Sequence, residues 1–532
     1  MKRLLLMLTA GAALWSAACG GGNGIAVPPP PVGKYTLANL NGQYAFVTNG
    51  ESFTGVNAVA LARTGSFTAD GMGNITTGIE DVNAAGAPSL ALQISGGNYT
   101  VNADGRGTLT LNVVSGGVAS PINFGITLTS SNDGLMIDET STSAQSSTGS
   151  GNFIKQNSGS FAIASIAGPY VFDFSGQDGF SPSGPESIVG EFTASGGPIT
   201  TGVEDVNDNG VFTTAAAVSG SFSADGVNLS TLPGFGRGIA QLNGVQYAFY
   251  IVDASRVRLL NISGGAMLSG DAVAQSNTAP ANVSSISSSF VFIVAGSSGN
   301  GGITRVGRFT ANGATVTNVL VDTNNSGQFI KTNTTNNTSI SLDAANLGRG
   351  TITFTDPNFA AAPFKFVFYL SSATQGVIQE TTTNGNNAVD VADGSIAAQT
   401  GSPFTSSNIT GTYALNWSGL SLQNNGSFSV HDEEDLLSQV VVTSLGLSGA
   451  ADIFQFQNGV PVFDLVTSGA ITISGDGTSS TASNRNTMSV KLVKSNSTTV
   501  NFVVYFVNPQ LAFFANNQDS HRTVAGILKA QQ

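Results

Sequence analysis

Apolar and polar residues alternate in short runs along most of this chain. Beyond the N-terminal leader no stretch keeps an apolar stripe at helical spacing for three turns. In the first third, polar turns separate about eight such runs, starting near Gly42, Leu61, Asn74, Leu90, Gly107, Ile122, Leu135 and Gly149. A period of two sends successive side chains to opposite faces, so each run reads as a strand with one buried face. Consecutive strands on short links predict an antiparallel meander. An up-and-down barrel closes such a meander without leaving an unpaired edge. A two-sheet sandwich would use the same strands, and the barrel is favoured over it.

The same pattern then repeats. Each copy opens on an aromatic strand: Tyr44-Ala45-Phe46, Tyr170-Val171-Phe172, Phe290-Val291-Phe292 and Tyr413-Ala414-Leu415. Residues 44, 170, 290 and 413 are spaced by 126, 120 and 123. A second strand follows in each: GSFTADG from Gly65, GEFTASG from Gly190, GRFTANG from Gly307 and a shorter GSFSV from Gly426. A Gly-Arg-Gly turn recurs around Arg106, Arg237 and Arg349, and the fourth copy keeps Arg485 between asparagines. Each copy closes on Gly and, five residues on, Gln: Gln156, Gln275, Gln399 and Gln531. The expected architecture is all-β: four tandem antiparallel modules over 38–158, 159–277, 278–402 and 403–532.

The leader begins Lys2-Arg3, continues apolar from Leu4 to Trp15 and ends Ser16-Ala17-Ala18-Cys19. These are the parts of a secretory signal, and the run is too short to span a bilayer. With the only cysteine at this place, the segment resembles the lipobox of bacterial lipoproteins, Ser16 standing where that family usually has Leu. The resemblance implies cleavage before Cys19 and lipidation of its new N-terminus. It makes 1–19 a signal peptide and the membrane a partner through the lipid. The residues after Cys19 are not acidic, which in Gram-negative lipoproteins favours the outer membrane. A Gly/Pro-rich tether over 20–37 follows. As a whole the chain resembles multi-repeat lipoproteins of Gram-negative environmental bacteria, a likeness that carries no activity with it. The modules are calycin-like in expected shape, without a lipocalin motif.

Composition narrows the chemistry. Only 10% of the 532 residues are charged, and the net charge is −13. An acidic surface repels phosphate backbones, which argues against nucleic acid. One cysteine and two histidines, His431 and His521, leave no internal disulfide and no Cys/His zinc cluster. No cofactor motif is present.

Three groups of residues carry candidate chemistry. Asp205, Asn207 and Asn209 match the opening of a calcium loop, D-x-N-x-N-G. The loop's closing Glu is replaced by Ala216, so a hairpin turn in which Asp and Asn bond their own backbone is the favoured reading. The recurrent arginines 106, 237, 349 and 485 point to a structural role, each pairing with an acid of its own module, such as Glu80 or Asp81 in the first. The run Asp432-Glu433-Glu434-Asp435 reads as a solvated loop. No nucleophile elbow or phosphate loop appears, so an enzyme is not expected. The functional expectation is an exported, lipid-anchored protein with a binding, adhesive or structural role at the cell envelope. The alternatives are a carrier holding apolar ligands inside its barrels and, behind it, a hydrolase of exported polymers. The carrier requires a hollow lumen, and the hydrolase a cleft of perturbed acids within one module.

Overall fold

The computed structural model describes residues 34–532 except 55–56, 142–145, 179–183, 226–233, 299–300, 335–337, 344, 346–347, 355–362, 383–389, 422–432, 445, 456–460, 475–484 and 494–497. Cys19, His431 and Asp432 lie outside the described residues.

The first module is a closed barrel of eight strands: Asn41–Thr54, Asn57–Asp70, Asn74–Ala84, Ala87–Tyr99, Arg106–Ser115, Val118–Leu128, Asp133–Asp138 and Ser146–Lys155. Each pairs antiparallel with the next, and the last returns to the first, from Tyr44 opposite Lys155 to Phe53 opposite Ser146. The fourth module, Gly411–Ser421 through Arg522–Ala530, closes in the same order. The second and third modules each carry nine strands because one is broken in two. Val211–Ala217 and Gly220–Ala224 replace a single strand in the second, and Gln328–Thr334 and Ser339–Leu342 do so in the third. Direct pairing of Gly184–Ser195 with Pro198–Asp208, and of Gly301–Asn312 with Thr315–Asn325, still closes an eight-membered ring in each. At the corresponding place the first barrel stays continuous through Gly96 and Gly97, at φ +145° and +156°, where the register also slips. The chain is therefore four closed antiparallel barrels in tandem, and the sandwich is set aside.

The alternation seen in the sequence puts aromatic rings on each barrel axis. Tyr44, Phe46, Phe67, Phe124 and Phe153 fill the first, with ring centroids 5.6–6.1 Å apart. Phe172, Phe174, Phe192, Phe222 and Phe249 occupy the second, and Phe290, Phe292, Phe309, Phe354 and Phe366 the third. The fourth packs Trp417 against Phe502, and Phe502 in turn against Phe514. These rings explain one repeat mark. In the first three barrels a glycine within the second strand lies under the phenylalanine of the first strand, and a Cβ at Gly65, Gly190 or Gly307 would come within 2.6, 2.5 or 2.9 Å of that ring. Gly426 of the fourth copy lies outside the described residues, and there the second strand is Glu433–Thr443 with Ser438 opposite Leu415.

Among the described residues, one end of the barrel interior holds an ion pair in three of the modules. Arg63 pairs with Glu80 and Asp138 at 3.3 and 3.4 Å, and Arg305 with Glu380 and Asp390 at 3.1 and 2.7 Å. The fourth barrel differs: Leu436 stands at the register position of Arg63, and Glu434, two residues before it on the same inward face, pairs with Arg522 at 3.0 Å. This corrects the reading of residues 433–435 as a solvated loop. A strand begins at Glu433, so Glu434 turns into the barrel and Asp435 outward onto the first module, and both are fully buried.

Candidate functional site: the joints and the axis shared by four barrels

The recurrent arginines meet at the joints between barrels. Arg237 of the second module grips Asp81 of the first with two bonds of 2.8 Å, and the Tyr250 hydroxyl donates to the same carboxylate at 2.6 Å. Arg349 and Tyr369 of the third module hold Asp205 of the second at 2.8, 2.8 and 2.5 Å. Arg485 and Tyr505 of the fourth hold Asp322 of the third at 2.8, 2.7 and 2.5 Å. Charge-assisted, forked bonds of this kind fix geometry as well as adding energy. The expected pairing with an acid of the same module is corrected in the acids it named, since Glu80 pairs with Arg63 and Asp81 with Arg237. Own-module acids do assist, as Asp225 does for Arg237 and Asp104 for Arg106. The recurrent grip, though, is on the preceding module, because Asp81 and its counterparts lie on the outward face of the third strand.

The last joint runs from the fourth module back to the first. Asp452 occupies the register position of Asp81, and Arg106 approaches it at 3.6 Å and Asp464 at 2.9 Å. The closing glutamines follow the same cycle. Gln156 donates to the Ile251 carbonyl at 2.6 Å, Gln275 to Leu370 at 2.9 Å and Gln399 to Phe506 at 2.7 Å. Gln531 donates to Leu128 of the first module at 2.8 Å. The next backbone N–H repeats the pattern from Asn157 to Val252, Ser276 to Ser371, Thr400 to Val507 and Gln532 to Thr129. Four barrels therefore form a closed cycle.

Each joint also buries apolar side chains. Ala45, Ile79 and Val252 meet at the first, Val189, Val203 and Val367 at the second, Val306, Leu320 and Val503 at the third, and Leu135, Ile137 and Leu437 at the closing one. The closing joint is the least regular. Asn83, Asn207 and Asn324 each donate to two carbonyls of the following barrel. The corresponding position in the fourth module is Phe454, which packs on Phe53 at 5.7 Å.

These contacts also account for the candidate calcium residues. Both oxygens of Asp205 accept from Arg349, Asn207 donates to the carbonyls of Glu380 and Asp390, and Asn209 stands in the hairpin turn at φ +45°. Their side chains are directed to separate tasks. Among the described residues no group of three or more His, Cys, Asp and Glu is placed to hold a metal ion. His521 lies half-exposed, 3.6 Å from Asp519.

Where the four barrels meet there is a cavity of about 630 Å3. One acidic residue of each module lines it: Glu51, Asp393 and Glu433 stand on outward strand faces, whereas Glu186 shares the inward register position of Glu434 and turns toward Glu204 and Tyr247 of its own barrel. Burial holds Glu433 well above the usual carboxylate range, aided by the charges of Asp435 and Glu51. Burial likewise pushes Asp393 up to about 6. Glu186 is pushed up to about 7, by burial first and then by Asp208. The perturbed acids come from three modules rather than from a cleft in one. The sequence did not reveal this site, because Glu51 and Asp393 belong to no repeated motif and the axis exists only once the cycle closes.

No family model matches the chain, and no curated protein matches it. Among solved structures it is similar to a double mutant of the vaccine antigen transferrin-binding protein B from Haemophilus parasuis. That likeness has 11% identity over 75% of this chain and 83% of that one, with a TM-score of 0.21. It is also similar to isotype 1 transferrin-binding protein B from serogroup B Neisseria meningitidis, at 9% identity over 75% and 84%, with a TM-score of 0.20. Likenesses at these scores carry no inference about ligand or role.

Proposed function

We propose that this protein is a non-catalytic scaffold of the cell envelope, anchored through a lipid on Cys19 and working through the surfaces of a rigid four-barrel ring. The observation that carries this reading is the joint: one Arg–Asp grip and one Gln cap recur between successive barrels and return from the last to the first. Such locking serves a body that must keep a fixed shape, and independent beads on a string would not need it. The aromatic rings on the barrel axes favour this reading over a carrier, whose ligand would need that space. Acids scattered over four modules favour it over a hydrolase. Substituting Cys19→Ala is expected to move the chain from the membrane fraction to the soluble one. Unchanged fractionation would remove the anchor from the account.

A further inference from the structure

We infer that the axial cavity is a binding site for a linear oligoamine, several ammonium groups joined by short methylene segments. The chemistry of the wall supports this. The carboxylates of Glu51, Asp393 and Glu433 stand on the outward strand faces of three different barrels, so they approach the space from separate sides rather than gather on one. Among the described lining residues none is Lys, Arg or His. Between the acids lie Met267, Ile293, Val391, Leu420 and Ile527, which offer contact for methylene groups. The hydroxyls of Thr304 and Thr523 lie in the same wall, in residues 3% and 2% exposed, with no hydrogen-bond partner. A buried hydroxyl left so is uncommon in a native fold, and both could accept from an ammonium N–H.

Like charges brought together out of water are costly unless a counter-charge or a proton joins them. A compact inorganic cation would leave most of a space this size unfilled, whereas a chain of amines can reach several walls at once. A ligand of this class also suits the volume, which lies within the usual range for small-molecule sites. The inference does not depend on where the chain is anchored, and fractionation of Cys19→Ala tests that separately.

The test is isothermal titration calorimetry of spermine into the purified full chain, with magnesium chloride as competitor. One spermine per chain is expected, retained in magnesium at equal total charge. Glu51→Gln together with Glu433→Gln is expected to weaken binding by about a hundredfold, roughly tenfold for each charge removed. Ala295→Trp, which fills the cavity beside Asp393 while keeping every carboxylate residue, is expected to abolish binding. If the carboxylate variant melts below the parent, the Ala295→Trp result alone decides. No binding, a stoichiometry well above one, full displacement by magnesium, or indifference to Ala295→Trp overturns the proposal.

Discussion

Replacing Arg237 by alanine removes the grip of the second barrel on the first. Both forked bonds to Asp81 disappear, and the side chains of Asp81 and Arg237 are 0% and 4% exposed. Breaking a buried ion pair by removing one partner costs 3–5 kcal/mol, because the remaining charge stays buried. Asp81 keeps the Tyr250 hydroxyl and the Ala91 N–H, which places the expected loss near the lower end, about 3 kcal/mol. Arg106→Ala at the closing joint makes the contrast. Its shortest neighbouring-module partner, Asp464, has a side chain 76% exposed, so the expected loss is about 1 kcal/mol. A chain of four barrels does not unfold in two states, so the assay is scanning calorimetry, read transition by transition. Arg237→Ala should lower the transition containing the second barrel by roughly 6–12 °C, and Arg106→Ala by roughly 2–4 °C. Adding Asp81→Ala to Arg237→Ala should recover part of the loss, because no unpaired charge remains. Equal effects of the two arginine variants, or strict additivity in the double variant, would refute the reasoning.

Three further outcomes are expected. Gly190→Val places side-chain atoms inside the Phe172 ring and should destabilise the second barrel by about 1–3 kcal/mol, read in the same calorimetry; a neutral result would contradict the ring-over-glycine packing. Asp393 and Asp435 have folded-state values raised to about 6, and Glu186 and Glu380 to about 7, against about 4 in an unfolded chain, so the folded state binds the extra protons. Their contribution is complete below pH 4 and fades as pH rises through 6 to 7, so the melting temperature should fall between pH 5 and 8, and a flat or rising profile would count against it. Calcium should leave the melting temperature unchanged, since Arg349 holds both oxygens of Asp205; a rise of several degrees would restore the metal reading.

The strand pattern made the barrels legible. Alternation marked the strands of the first module, and the repeated Gly-x-Phe marked the glycine that lies under the ring in the first three barrels. In the fourth the same letters at Gly426 fall before the strand, and Ser438 takes that register position. The breaks near Ala217 and Thr334 were not legible, because the flanking residues keep their alternation on both sides. The joints were visible only as repeated letters. Arg237, Gln156 and Asp81 recur with their copies, but recurrence does not say whether a residue binds its own module or the next. Asp452 was hidden altogether: the fourth copy has lost the Glu-Asp-Val-Asn context, and only register shows that it stands where Asp81 does. The buried acids at 433–435 were misread because a run of charge resembles solvent-facing loop, whereas strand alternation sends one member inward to Arg522 and the next outward to Thr148 and Ser150.

Closure of the ring is the claim on which the joints, the axial cavity and the scaffold reading all depend. Small-angle X-ray scattering on the chain lacking its leader and tether tests it most directly. A compact body of this length has a radius of gyration of about 23 Å. The ring should give that value with a single maximum in the distance distribution. A radius above roughly 30 Å with an extended tail, as expected for four barrels of this size strung in line, would contradict it.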